Sequence, residues 1–512
     1  MIVKLVMLLV FFAVMIGVGI YARKHAGNVT DFVLGGRSVG PWLTAFAYGT
    51  SYFSAVVFVG YAGQFGWKYG LASTWIGLGN AILGSLLAWV VLGRRTRIMT
   101  HHLSAATMPD FFGKRFDSNA LRIAASAIVF VFLIPYTASL YNGLSRLFGM
   151  AFDVPYAVCV VLMATLTGIY VILGGYMATA INDFIQGIIM LGGIAAVVLA
   201  VLNGQGGFMQ AVRSLSEIPS DNPLTMGQPG AFASFFGPDP LNLLGVVILT
   251  SLGTWGLPQM VHKFYTIKNE KAVKTGTIIS TFFAVIISGG CYFLGGFGRL
   301  FDNPAIYAQD GSIIYDAIIP EMLSTLPDVL IGIVVILVLS ASMSTLSSLV
   351  LTSSSTLTLD FIKGNLLKDL SDKKQLLLMR VLIVFFIAVS VVLALDPPTF
   401  IAQLMGISWG ALAGAFLAPF LYGLFWKRVT RAAVWASFIA GVGITVLNMF
   451  FHFIESSINA GAAAMVAGLV IVPVVSVLTP KMEKKRVEEI FSCYDEPVSV
   501  KRKIALPEKE EA

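Results

Sequence analysis

Apolar runs of about twenty residues, parted by short polar or basic stretches, recur along the whole chain. They predict thirteen membrane spans, near 2–21, 39–66, 70–93, 121–149, 155–174, 183–203, 240–262, 275–298, 327–360, 379–396, 399–426, 431–454 and 460–479. Two regions interrupt the pattern. Gly40 through Ser54 is polar and glycine-bearing in mid-span, and Thr250 through Gln259 holds Gly253, Gly256 and Pro258. Each begins a block of five spans, 39–203 and 240–426, and matched interruptions in two halves predict an all-α, 5+5 inverted-repeat transporter core. Residues 1–38 form an extra helix and a cytoplasmic loop, and 204–239 an extracellular loop. Residues 427–479 give two further helices, and 480–512 a cytoplasmic tail.

The polar positions inside the apolar pattern carry the chemistry. From Ser340 to Thr358 the chain holds twelve hydroxyl side chains in nineteen residues and no charge. Ser340, Ser344, Ser347 and Ser348 share one helix face. Hydroxyls can bond back to their own helix, yet this density on one face suits a hard monovalent cation, which needs several oxygens and little formal charge. Unwound backbone offers carbonyls to a cation, and half-helix N-termini offer N–H groups to an anion. The candidate shell is backbone oxygen near Thr50 and Phe53, the Ala341 carbonyl, and the hydroxyls of Ser344 and Thr345.

Composition agrees. Of 512 residues, 57% are hydrophobic and 12% charged, with mean hydropathy +0.84, whereas soluble domains carry about twice that charge fraction. With the N-terminus outside, cytoplasmic segments and helix feet hold 29 of the 34 Lys and Arg, the exceptions being Lys4, Lys68, Arg146, Arg213 and Arg299. The C-terminus is then cytoplasmic, and the net charge of +7 reports orientation rather than nucleic-acid binding. The first segment lacks a small-residue cleavage site and reads as a retained helix. Cys159, Cys291 and Cys493 form no evident pair or metal motif, and the five His show no H-x-x-x-H spacing. Neither Walker A nor G-x-S-x-G occurs, so no enzyme, ATPase or organic cofactor is expected.

Five stretches in order resemble the sodium:solute symporter family over nearly the whole chain, nearest its bacterial pantothenate and proline carrier branch. They are Asp31 to Ser38, Met108 to Phe116, Gly174-Gly-Tyr176, Asn182-Asp183-Phe-Ile-Gln186 and Ala341-Ser-Met-Ser-Thr345. The resemblance implies thirteen helices, a leucine-transporter-like core, a bacterial inner membrane, and sodium held by Thr50, Phe53, Ala341, Ser344 and Thr345.

The resemblance also bears on the solute. Proline carriers place an Asp where this chain has Tyr52. Pantothenate carriers resemble it at Lys68-Tyr-Gly-Leu71, Asn182 to Gly187, Gly256-Leu-Pro258 and Lys271-Ala-Val273. A pantothenate-like or other small monocarboxylate is therefore expected ahead of proline. Tyr52, Tyr136, Tyr141, Trp255 and Pro258 are the candidate substrate residues, since a Tyr offers an apolar face and one hydroxyl. With Arg146 and Arg299 near outer helix ends, no Lys or Arg is expected at midplane depth. A carboxylate would rest on N–H groups of a broken helix. Asp183 is expected to guide exiting sodium, to pair with a basic loop residue, or to cap a helix. A channel would need rings of charge or carbonyls, and a sensor or enzyme a domain that 480–512 does not supply. Partners are sodium, a small organic solute and the lipid bilayer, with no nucleic acid.

Overall fold

In the computed structural model, residues 2–23, 26–152, 154–367, 370–396 and 401–495 are described, and among them every regular element is helical. The expected span start at 399 and the tail beyond 495 lie outside them. A first helix, α1 (Ile2–Ala22), and a short α2 (Val29–Leu34) precede the interrupted region. Gly40 and Pro41 start α3 (Pro41–Tyr52), because proline at the first helical position loses no bond. The helix stops at Phe53, whose backbone is extended (φ −106°, ψ 99°). After a short π-helical stretch the chain resumes as α4 (Ala62–Tyr69) and α5 (Thr74–Gly79), then passes through π-helical Asn80–Leu87 and Trp89–Gly93 to α6 (Arg94–His102).

The basic face of the bundle carries α7 (Met108–Arg115), and α8 (Asn119–Phe152) and α9 (Tyr156–Gly204) follow. A straight helix of the 49 residues in α9 would run over ~70 Å, but Gly175 (φ 53°, ψ −144°) breaks it. A Cβ there would press on Phe32 of α2 at 2.7 Å. After α10 (Phe208–Glu217), the second interruption divides α11 (Pro240–Leu252) from α12 (Pro258–Tyr265). Its glycines allow close approach, since a Cβ on Gly253 would meet Trp409 and one on Gly256 the backbone of Leu417, both at 2.7 Å.

Next come α13 (Glu270–Gly295), the short α14 (Tyr315–Ser324) and α15 (Asp328–Thr356). They are followed by α16 (Asp372–Leu395), α17 (Ile401–Phe425), α18 (Arg431–Phe451), α19 (Ser457–Leu478) and a tail helix, α20 (Lys484–Phe491). Among the described residues, eleven helical stretches are long and apolar enough to span a membrane, not thirteen. Two of them, Val56–His102 and Tyr156–Gly204, run 47 and 49 residues and contain the positive-φ glycines 70 and 175. Four expected spans fall on these two stretches. Both breaks sit inside the bundle: α3 packs on α9, α13 and α15, and α17 covers the second break. Backbone bonds from Val39 to Thr266 (3.2 Å) and Lys268 to Val39 (3.1 Å) tie the foot of α3 to the end of α12. Glycines let α13 touch the first half backbone to backbone. A Cβ on Gly66 would overlap the Gly295 carbonyl, and one on Gly77 would meet Gly289 at 2.9 Å.

Candidate functional site

Where α3 ends, its last carbonyls lose their helical donors and turn to α15. Ser344 Oγ reaches the Thr50 carbonyl at 3.0 Å and the Ala341 carbonyl at 3.1 Å. Thr345 Oγ1 lies 3.3 Å from the Thr50 carbonyl, 3.4 Å from that of Ser51 and 3.1 Å from that of Ala341. All are buried. Phe53 and Ala341 line one small cavity of about 10 Å³ with Ser54, Phe58 and Cys291, room for at most one water-sized particle. Thr50, Phe53, Ala341, Ser344 and Thr345 are thus brought together. The set is neutral and all oxygen, the donor type of a hard monovalent cation rather than of a transition metal.

The substrate candidates separate into two groups. Tyr52 donates to the Thr250 carbonyl at 2.5 Å, linking the two breaks, and stacks on Phe53 (4.2 Å) and Trp409 (6.2 Å). Tyr136 meets the edge of Trp409 at 6.0 Å, and its hydroxyl nears Ser54 and Trp409 without a bond of normal geometry. Trp255 Nε1 donates to the Leu83 carbonyl at 2.9 Å, and Pro258 opens α12 with no side-chain cap. Tyr141 leaves this group: its phenol neighbours Tyr170 of α9, whose hydroxyl holds the Met343 carbonyl at 2.7 Å.

Three contributors went unforeseen. The π-helical stretch Asn80–Leu87 displaces carbonyls from the regular ladder, and Gly84 accepts from Tyr48 (2.6 Å) and Thr254 (3.1 Å). Asn80 bonds Ser288 and Ser251. Trp409 of α17 lies between Tyr52, on which it stacks, and Tyr136, which it meets edge to face. The only prior signal was an Asn and two Gly in an apolar run.

Lys263 corrects an expectation. Hydropathy places it in a loop and leaves no cationic side chain within the bundle, but α12 carries it inward, 2% exposed. Its Nζ donates to Ser348 Oγ at 2.9 Å, lies 3.8 Å from Asp183 Oδ2, and sits 5.3 Å from the Tyr176 ring centre. Ser348 in turn bonds Ser51 Oγ at 2.8 Å. Asp183 caps no helix: it lies inside α9, fully buried, and among the described residues neither carboxylate oxygen accepts a hydrogen bond.

Polar and cation–ring contacts gather at both ends of this region. On the basic face, Arg95 stacks on Phe425 (4.2 Å) and Tyr494 (4.6 Å), and Arg115 on Phe116 and Phe491 (4.9 Å each). Arg115 also donates to the Gly423 and Trp426 carbonyls, and burial lowers its pKa to about 10. On the opposite face, Asp316 of α14 accepts from the Ile401 N–H at 3.2 Å, with Arg146 at 4.0 Å. Burial raises the Asp316 pKa to about 6, against the pull of Arg146.

Comparison with known proteins places the chain in a family. Residues 32–441 match the sodium:solute symporter family. A sodium/proline symporter of Staphylococcus aureus (strain JH9) is 29% identical over 498 residues, covering 94% of this chain and 93% of its own. A solved sodium-coupled sialic acid symporter, in a substrate-bound outward-open state, superposes with TM-score 0.78 at 17% identity, over 94% of this chain and 98% of the other. A nucleobase-cation-symport-1 family transporter in a closed conformation with bromovinylhydantoin bound gives TM-score 0.51 at 13% identity, over 90% and 98%. The fold is leucine-transporter-like, with two broken helices. By its match over most of its length, the chain belongs to the sodium:solute symporter family, and it is a multi-pass, sodium-coupled membrane transporter rather than an enzyme.

Proposed function

We propose that the protein imports a small carboxylated solute together with sodium, by alternating access, with sodium held by Thr50, Phe53, Ala341, Ser344 and Thr345. The observation that carries the reading is the approach of Ser344 and Thr345 to the carbonyls freed at the end of α3. Two hydroxyls and a set of carbonyls supply oxygens without a fixed charge, so sodium binds weakly enough to leave again. The basic face is then cytoplasmic, with the N-terminus outside and the C-terminus inside.

The solute lies between the breaks, its apolar body on Tyr52, Tyr136, Trp255 and Trp409. Its carboxylate rests at the start of α12, where the helix dipole favours an anion and Gln259 offers a backbone N–H, Pro258 having none and Met260 donating to the Leu257 carbonyl. No acid stands at Tyr52 to receive an ammonium group, which favours a monocarboxylate such as pantothenate. The second reading is proline, favoured by the relatives that carry proline with sodium. Uptake of labelled pantothenate and labelled proline by the purified protein in proteoliposomes, with and without an inward sodium gradient, separates them. Strong proline uptake untouched by excess pantothenate overturns the first reading. Equal uptake without sodium, on a proton gradient alone, overturns the sodium assignment.

A further inference from the structure

Lys263 is joined to the oxygen shell by a short polar line. Its ammonium bonds Ser348 (2.9 Å), Ser348 bonds Ser51 (2.8 Å), and the Ser51 carbonyl lies 3.4 Å from Thr345 Oγ1. One turn of α15 separates Ser348 from Ser344. An ammonium is a compact single charge with three donors, and it suits the same neutral oxygens as an alkali cation. Among the described residues the Lys263 ammonium makes one hydrogen bond, although buried charges ordinarily gather several. Its countercharge, Asp183, stands at 3.8 Å, beyond hydrogen-bond reach, and among the described residues neither Asp183 oxygen has a donor. A buried carboxylate without donors and a buried ammonium with one acceptor form an unfinished pair, and the ammonium has partners on either side.

Resting on the sodium reading above, we propose that Lys263 is a tethered cation that competes with sodium for the inner side of the shell. With sodium bound, the ammonium withdraws toward Asp183. As sodium leaves, the ammonium advances along Ser348 and Ser51 and takes over part of the oxygens' charge compensation. Lys263 is a positioning residue: it touches no sodium, but it sets how readily sodium lets go. Asp183 acts on the same balance from behind by holding the ammonium back. No proton is transferred and no bond is made or broken.

The sign of the effect separates this role from mere packing. Equilibrium binding of radioactive sodium to the purified full chain is the measurement, with no organic solute present. Removing the charge in Lys263→Gln should tighten sodium binding about fivefold and slow its release, because a positive charge has left the neighbourhood. Lys263→Arg should stay near wild type. Asp183→Asn should weaken binding, since the ammonium is no longer held back, and the double variant should return toward Lys263→Gln. A well-folded Lys263→Gln with unchanged or weaker sodium binding overturns the inference. Should that variant fail to fold, Asp183→Asn decides: weakened binding that persists when Arg replaces Lys263 supports it, and unchanged binding overturns it. Ser344→Ala is the separate control for the shell. If it leaves sodium binding untouched, the site reading falls and this inference with it. If it weakens binding while Lys263→Gln does not tighten it, the inference alone falls.

Discussion

The contacts at the two ends of the transporter are built from different materials. On the face carrying α20, closure rests on cations against aromatic rings and carbonyls: Arg95 between Phe425 and Tyr494, Arg115 between Phe116 and Phe491. On the other face, a carboxylate, Asp316, holds the first described N–H of α17 with one arginine nearby. Arginine keeps its charge at any physiological pH, so the first closure opens only by mechanical separation. The second contains a group that titrates near neutrality. Contacts that answer to different forces can give way one at a time.

The largest expected blow to this comparison is Arg115→Ala. It removes a buried guanidinium that binds two carbonyls and covers two rings, and should cost about 3 kcal/mol or more of stability. Arg146→Ala on the opposite face, where the side chain is 37% exposed, should cost about 1 kcal/mol. Thermal unfolding in detergent compares the two, and equal losses would erase the proposed asymmetry.

Between the closures, Ser344→Ala and Thr345→Ala should each raise the sodium needed for half-maximal transport roughly tenfold, the worth of one charge-assisted oxygen contact. Ser354→Ala, which loses only a bond to the Leu351 carbonyl of its own helix, should change it little. Sodium titration of uptake checks this, and equal shifts at all three positions would assign the effect to helix packing.

A smaller effect is expected from Tyr494→Ala, which removes one ring over Arg95 and a 3.2 Å bond to its carbonyl. A cost of about 1 kcal/mol follows. Cysteine-accessibility labelling near Arg95 should show the basic face opening more readily, and unchanged labelling would deny the tail any part in closure.

The smallest and most specific effect concerns Asp316. Burial raises its pKa from 3.8 to about 6 in this closed arrangement. Such a carboxyl favours the folded state most when protonated, and that contribution is lost as pH rises through about 6. Raising pH from 5 to 7 (~2 units) should therefore lower the unfolding temperature of the wild type by about one to two degrees relative to Asp316→Asn, which stays neutral. Parallel pH profiles would remove the titrating element from this face.

Much of this was legible because it repeats locally. The glycines and prolines of 40–54 and 250–259 mark both breaks, and the spacing of Ser344 and Ser348 puts them on the face that meets α3. What stayed hidden depends on partners far away in sequence. Lys263 finds its serine 85 residues on, and hydropathy alone ends the span at 262. Gly84 looks like any membrane glycine until Tyr48 and Thr254 converge on its carbonyl. Trp409 is one aromatic among many until two tyrosines flank it. Tyr141 shares α8 with Tyr136, and only the fold shows that it neighbours Tyr170 of α9.

The backbone seam along α13 gives experimenters a ruler. At two crossings, Gly66 against Gly295 and Gly77 against Gly289, no side chain separates α13 from the first half, which leaves little room to slide there. Its outer surface, however, is open at Ile278 (73% exposed) and Phe282 (64%). Spin labels or dyes placed there would travel with α4 and α5 as one rigid reference. Distances from that reference to α15 or α17 would then report the transport motion itself, free of internal bending of the reference.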